Sequence, residues 1–421
     1  MADRPGPRGA GGSVDMTAAP APAPQDAQAV HPLVAKAQRL AEHHRRLENA
    51  QLDAEAETAL TRSRLTVALL HALEGRAAAR HALRGHLVSL HQRAAVRSPR
   101  RHNRISKTLD KILLRLGTLG RALVILRSGL WTSPPGTGWA GALKDIRAYL
   151  AQGAAPAAQP PALLDQAFYL ASNPDLSGAA SPLLHYVASG AREGRRPHPL
   201  FDPAYYAARN GQAMLASGLE ALEHFVRIGA AEGRDPHPLF DLDWYVAQDP
   251  ALTDSGANPL AHYLAHGWRA GLSPHPLFAP DFYLAQLPLA EREGPPLVHY
   301  VTVGWRSGLK PHPLFDPAWY LRQDPEIEAS GREPLSHFLL EGADRGLDPS
   351  GWFSCAAHRE ARGANLPEGA NPLVDYLTGG AWAVSAASPG FAAAAYLAAN
   401  PDLAQGDLTP LEHWARRASH P

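Results

Sequence analysis

Apolar and polar positions alternate in two distinct ways along this chain. Over its second half short apolar clusters return at a fixed interval, marked by a His followed by an aromatic residue: His185-Tyr186, His224-Phe225, His262-Tyr263, His299-Tyr300, His337-Phe338 and His413-Trp414. Asp375-Tyr376 takes the place between the last two, and the successive spacings are 39, 38, 37, 38, 38 and 38 residues. A period of this length marks stacked supersecondary units. Seven copies span residues 163 to 421. A second aromatic landmark precedes each: Phe168-Tyr169, Tyr205-Tyr206, Trp244-Tyr245, Phe282-Tyr283, Trp319-Tyr320 and a degenerate Ala395-Tyr396, with no such pair in unit six. The linker PHPLF recurs at 197–201, 236–240, 274–278 and 311–315 and decays to DPSGWF at 348–353.

Each unit reads as two short helices. In FDPAYY, Asp202 is placed to accept from free amides of the first turn, and the fixed backbone angle of Pro203 suits the first helical position. Asn173-Pro174, Asp249-Pro250, Asp324-Pro325 and Asn400-Pro401 signal turns. The second helix begins at Ser181-Pro182 or Asn258-Pro259 and carries the His-aromatic pair on its buried stripe. It is expected to stop at Gly190, Gly229, Gly267, Gly304 or Gly342 through a left-handed glycine. The fold class is therefore all-α, an N-terminal helical hairpin or coiled coil followed by seven two-helix repeats of about 38 residues.

The first half has its own pattern. Residues 1–30 are rich in Pro, Gly and Ala and read as a disordered tail without the apolar core of a secretory signal. Residues 31–97 are free of Pro after Pro32, with Leu33, Leu40 and Leu47 seven apart, predicting a helical hairpin or short coiled coil. His44 and Gln51 interrupt the seam, so dimerisation stays open. Residues 98–131 form a basic amphipathic segment. From 97 to 127 there are nine cations (Arg97, Arg100, Arg101, Arg104, Lys107, Lys111, Arg115, Arg121, Arg127) against Asp110 alone, with Ile105, Leu109, Ile112, Leu113, Leu116 and Leu123 on one face. Two readings stand: a helix lying in an anionic membrane interface, or one packed on the preceding hairpin with a solvated basic face. Residues 132–162 read as a semi-rigid spacer containing a short helix.

The whole chain has 40 basic and 40 acidic residues, so any bias toward anionic partners is local. Nucleic acid is disfavoured, because no aromatic residues alternate with the cations of the basic segment. One cysteine, Cys355, excludes an intramolecular disulfide framework and a cysteine-based metal cluster. No run of about 18 apolar residues exists. The expected location is the cytoplasm, with peripheral contact at the inner membrane if the basic segment binds lipid.

Candidate chemistry thins out on inspection. Asp241-Leu242-Asp243 has the D-x-D form that holds a metal against a nucleotide-sugar diphosphate, but the sister copies read Asp202-Pro203-Ala204 and Asp316-Pro317-Ala318. Asp241 is thus a recurring cap and Asp243 a first-turn acid. Ten of the 21 His belong to the two repeating positions, and the helix His is expected to bond a neighbouring unit's backbone. No catalytic residue, metal site or cofactor is assigned. Trp268 and Trp305, each following a helix-ending Gly, are the candidate contacts to a sugar ring or a partner.

The unit as a whole, FDPxYYL then NPDL, PLxHY, EGR and PHPLF, resembles repeats found in bacterial glycosyltransferases and related proteins of cell-surface polysaccharide synthesis. The most specific part is Tyr169, Asn173-Pro174-Asp175-Leu176, His185-Tyr186, Glu193-Gly194-Arg195 and Pro197 to Phe201. The segment NRISKTLDKILLRLGTLGRALVILRSGLW is similar to one seen near such repeats. The resemblance implies a place beside polysaccharide-assembly enzymes. The strand and helix alternation of a nucleotide-sugar fold is missing, so no catalytic residue carries over. The expectation is a non-catalytic scaffold or docking protein with protein partners, glycosyltransferases among them. A glycosyltransferase-related protein whose catalytic module is absent or unrecognised, and a carbohydrate-binding repeat module that takes polysaccharide, are the alternatives.

Overall fold

The computed structural model describes residues 109 to 419 except 134–135, 154–159, 161–162, 177–180, 381–387, 389, 401–402 and 404–407. All of these belong to one compact unit, Arg76–Pro421. The predicted hairpin over 31–97 and the cations Arg97, Arg100, Arg101, Arg104 and Lys107 lie outside the described residues. Among the described residues the structure is all-α with a repeated helix pair and no strand; isolated one-residue bridges close the linker turns, as at His198 and Phe201.

Unit three shows how sequence becomes structure. Asp241 caps Leu242–Gln248, its carboxylate accepting from the amide of Trp244 at 2.8 Å. Asp249 then caps a short second piece, Pro250–Ser255. Asn258 caps Pro259–His262, accepting from the amides of Leu260 and Ala261, with Pro259 at the first position. Instead of continuing as an α-helix, the chain widens into one turn over Tyr263–Gly267, closed by the amide of Trp268 donating to the carbonyl of Tyr263 five residues back. The same wide turn occupies Tyr186–Gly190, Phe225–Gly229, Tyr300–Gly304, Phe338–Gly342 and Tyr376–Gly380.

Gly190, Gly229, Gly267, Gly304 and Gly342 do not end the helix as expected. The left-handed residues lie four positions later, at Gly194, Gly233, Gly271, Gly308 and Gly346. There the following amide returns to the earlier glycine's carbonyl, as Leu272 N–H does to Gly267 at 3.0 Å. This is a six-to-one closure that needs a positive φ. The earlier glycines answer a different need, a close approach by tyrosine.

Units are stapled at two places. The amide opening each unit donates to the linker proline carbonyl of the next: Asp165 to Pro197, Asp202 to Pro236, Asp241 to Pro274, Ala279 to Pro311 and Asp316 to Pro349, all at 2.9–3.0 Å. The second aromatic also reaches forward: Leu297 N–H donates to the Tyr263 hydroxyl at 3.3 Å, and the Tyr300 hydroxyl donates to Glu333 at 2.6 Å. Between them runs a continuous core of buried tyrosine, phenylalanine and leucine, including Phe240, Tyr245, Tyr263, Leu277 and Phe278. This burial is the main driving force, since one unit has too few neighbours for its own aromatics. The last helix, Pro410–Ser419, reaches back three units, where Arg416 pairs with Asp281 at 2.7 Å.

The predicted spacer is not a plain spacer. Helices α1 (Gly117–Ser128) and α2 (Trp139–Ala151) pack together and bury Ala122, Ile125, Ile146 and Tyr149 in the same core as the array. The Tyr149 hydroxyl donates to Gln166 at 2.7 Å and accepts from Leu183 N–H at 3.3 Å. That second bond spans 34 residues, as does the one from Leu297 to Tyr263. Helix α2 therefore occupies the place of a preceding unit and caps the array. Among the described residues no helix is long and apolar enough to cross a membrane.

Candidate functional site

The repeating polar group of this protein is a tyrosine–histidine pair. The buried tyrosine of the first helix meets the histidine of the second within one unit: Tyr169 with His185 at 2.9 Å, Tyr206 with His224 at 2.7 Å, Tyr245 with His262 at 2.8 Å, Tyr283 with His299 at 2.7 Å and Tyr320 with His337 at 2.6 Å. Tyr396 and His413 repeat it at 2.8 Å. In each the contact is between the hydroxyl and Nδ1. A neutral imidazole with its proton on Nε2 accepts there from the hydroxyl. Burial lowers the pKa of His185 and His337 and raises that of Tyr169, Tyr206, Tyr245, Tyr283 and Tyr320. The histidine thus bonds its own unit's tyrosine through Nδ1, a partner the sequence reading, which looked to a neighbouring unit's backbone, did not name. A buried hydroxyl needs a partner, and the rigid pair supplies it.

The pair explains the glycine of the wide turn. A Cβ on Gly190, Gly229, Gly267, Gly304 or Gly342 would sit 1.8–2.1 Å from the tyrosine oxygen of its unit. Only glycine lets the hydroxyl lie against the backbone there.

Unit six keeps the geometry with other residues. His358 stands where the tyrosine would be and Asp375 where the histidine would be, and His358 Nε2 lies 2.8 Å from the Asp375 carboxylate. Arg362 also contacts that carboxylate, at 2.9 Å. The 17-residue separation of His358 and Asp375 falls among the 16 to 18 of the tyrosine–histidine pairs. That spacing was the signal available in the sequence, hidden because the unit lacks its aromatic landmark.

The P-H-P histidines do a second structural job. His198, His237, His275 and His312 are buried, and each accepts on Nδ1 from the amide two residues on, at 3.0–3.2 Å. Ser350 replaces them in the decayed copy and accepts from Trp352. Burial pulls His198 down to about 4 and His275 and His312 to about 3, so they are neutral at ordinary pH. The Arg of E-G-R ties the two helices of a unit: Arg195 forms a bidentate pair with Asp175 and bonds Asn173 and Glu193, and Arg234 bonds Asn210 and Glu232.

Asp241 is a cap, as are Asp202 and Asp316, while Asp243 lies in the first turn. Asp235 sits nearby and accepts from Leu242 N–H at 2.9 Å. Burial, reinforced by Asp241 and Asp243, pushes its carboxyl up to about 7. Among the described residues no group of three or more His, Cys, Asp or Glu is arranged to hold a metal ion.

Trp305 is 8% exposed, and Trp268 is half-buried against the core. Each ring carries the next arginine, Arg306 at 4.2 Å and Arg269 at 4.3 Å from the ring centre. Burial of Trp305 and the guanidinium lying over each ring reduce the face on which a sugar could stack. The first members of the double-aromatic landmark reach the surface in four units, Phe168, Tyr205 and Trp244 partly and Trp319 more so, whereas Phe282 at the same place is buried; arginines lie over three of these rings as well, Arg196 over Phe168, Arg209 over Tyr205 and Arg322 over Trp319.

Compared with models of protein families, with curated proteins and with solved structures, the chain matches none. Its functional reading therefore rests on its own geometry and on the repeat pattern.

Proposed function

We propose that this protein is a non-catalytic helical-repeat scaffold that docks glycosyltransferases or related components of bacterial cell-surface polysaccharide assembly. The observation that supports the scaffold role is the use of its chemistry-bearing side chains. The tyrosine–histidine pairs, the P-H-P histidines and Asp241 are all engaged in holding units in shape and in register. Such an array offers a surface on which most features recur from unit to unit. The link to polysaccharide assembly comes from the resemblance of the repeat unit and is associational.

Two assays test it. The purified chain, incubated with nucleotide sugars and Mg²⁺ or Mn²⁺, is expected to release no nucleoside diphosphate; turnover lost in Asp241→Ala/Asp243→Ala would overthrow the scaffold reading. In the producing bacterium, removal of residues 163–421 is expected to lower surface polysaccharide while enzyme levels stay constant. Unchanged polysaccharide would sever the link.

A carbohydrate-binding module is the second reading, and the surface positions of Trp244 and Trp319, equivalent in their units, favour it. Affinity electrophoresis through the host polysaccharide, with Trp244→Ala/Trp319→Ala alongside, separates the two: retardation that the double variant abolishes selects sugar binding.

A further inference from the structure

Ten large apolar side chains are exposed among the described residues, and four of them fall between 109 and 119: Leu109 at 38%, Ile112 at 52%, Leu116 at 62% and Leu119 at 49%. The others are spread along the chain from Trp139 to Trp352. Packing of the array does not account for this cluster. Residues 109–114 are helical, and Leu114 packs against the core while Ile112 points its apolar surface to solvent. The chain then turns at Gly117, whose φ is +69°, and enters α1.

The corner is fixed. A Cβ on Gly120 would lie 1.9 Å from the carbonyl oxygen of Leu113, so the two helical pieces touch backbone to backbone. Asp110 pairs with Arg127 across the corner at 3.2 Å. That pair takes up the acid of this stretch, while Lys111, Arg115 and Arg121 are exposed beside the apolar side chains. The protein as a whole is neutral, so three cations interleaved with four exposed aliphatics is a local specialisation.

We propose that this corner, Leu109 to Arg121, is a peripheral membrane site that inserts Ile112, Leu116 and Leu119 into an anionic lipid interface while Lys111, Arg115 and Arg121 contact the headgroups. The chemistry favours lipid over nucleic acid: exposed aliphatics gain nothing from a phosphodiester backbone, whereas the acyl boundary takes them up and anionic headgroups take the cations. The inference does not depend on the scaffold reading, and its failure would leave that reading intact.

The test uses the full chain and sedimentation with vesicles of phosphatidylcholine alone or mixed with phosphatidylglycerol. Wild type is expected to sediment with the mixed vesicles and to stay in solution with neutral ones. Ile112→Gln/Leu116→Gln/Leu119→Gln should lower the partition coefficient at least about tenfold, and Lys111→Gln/Arg115→Gln/Arg121→Gln should leave only salt-insensitive residual binding. Since these side chains are exposed, the melting temperature should be unchanged in both variants. Several outcomes overturn the proposal: wild type that ignores anionic vesicles, vesicle binding retained by the apolar variant, or a marked drop in melting temperature, which would show the patch covered by protein. A dimer converted to monomer by the apolar substitutions would assign the patch to a second copy of the chain. A duplex-DNA gel shift lost in the charge variant, without vesicle binding, would assign it to nucleic acid.

Discussion

Replacing Gly267 by alanine distinguishes two reasons for a glycine near the end of a helical turn. If Gly267 were only a helix residue, Ala would stabilise by about 1 kcal/mol through its higher helix propensity. In this structure the new Cβ would lie 1.8 Å from the Tyr245 hydroxyl oxygen and 3.0 Å from Cζ. The ring has nowhere to go, because it is fully buried with Phe240 at 5.3 Å and Tyr263 at 5.8 Å between centroids. The 2.8 Å bond to His262 must break or the backbone must shift. Losing that bond costs about 1 kcal/mol, leaving a buried partner unsatisfied about 1–3 kcal/mol, and overpacking about 1–3 kcal/mol. Allowing for overlap and the propensity gain, the net loss should be roughly 3–5 kcal/mol. Urea unfolding of the full chain followed by circular dichroism reads this as a lower midpoint. Gly271→Ala is the control: its φ is +75° with nothing within 4 Å, so only the left-handed penalty of about 1 kcal/mol applies. Tyr245→Phe in the Gly267→Ala background removes the nearest colliding atom and should recover part of the loss. A Gly267→Ala protein as stable as wild type, or more stable than Gly271→Ala, would refute the close-approach argument.

Asp235→Asn should stabilise at pH 8, by at most about 4 kcal/mol and by less to the extent that solvent reaches the half-buried carboxyl, because the folded protein prefers this carboxyl protonated, with its pKa at about 7 against an ordinary 3.8. The gain should shrink as pH falls through 7 toward 3.8, and a gain independent of pH would contradict the charge explanation. The P-H-P histidines act in the opposite sense. They are held neutral when folded but bind protons below 6.5 when unfolded, so their contribution is complete above 6.5 and declines as pH falls toward the folded value of about 3 for His275. By pH 5 His275 alone should account for a loss of about 2 kcal/mol, and the thermal stability of His275→Ser should fall less steeply between pH 7 and 5 than that of wild type. In unit six, His358→Tyr and Asp375→His should each destabilise by about 2–4 kcal/mol, while the double replacement, which restores the common pair, should recover most of it. Additive losses in the melting temperatures would show that the two positions are not exchanging one bond for another. Asp241→Asn should remain within about 1 kcal/mol of wild type in urea, since Asn also caps; a larger loss would require a further role for the carboxylate.

Much of the array could be read from the sequence, because its signals are local. Asp241 before a first turn, Asn258 before Pro259 and the His-aromatic period each follow from capping and backbone rules and appear where expected. What escaped depends on contacts across 16 to 18 residues. The two aromatics of the landmark look equivalent in the chain, yet Tyr245 is buried and Trp244 partly exposed. The helix histidine could be seen to need a partner, but nothing local identified the tyrosine hydroxyl of its own unit. The glycine reading failed for the same reason: Gly267 and Gly271 both look like helix stops, and only the position of Tyr245 tells steric demand from backbone conformation. At the candidate sites, Trp268 and Trp305 were chosen for following a glycine, while the burial of Trp305 and the arginine beside each ring are tertiary facts.

Unit six shows what kind of constraint the array imposes. The aromatic landmark is gone and the histidine has changed, yet the two helices still meet through a hydrogen bond between buried side chains, now reinforced by Arg362. The fixed requirement is therefore a polar link between the helices beside the wide turn, and the residue types are secondary. The same logic holds at the start of the array. Helix α2 has none of the PLxHY signature, but Tyr149 makes the forward bond to Leu183 that Tyr263 makes to Leu297. An array built on such links transmits position from unit to unit through hydrogen bonds that tolerate little displacement, and the contact from Arg416 to Asp281 adds a tie between units three apart. Under the proposed docking role, a partner that touches several units would gain from each only if their spacing is held before it arrives, which is what these links between units would supply.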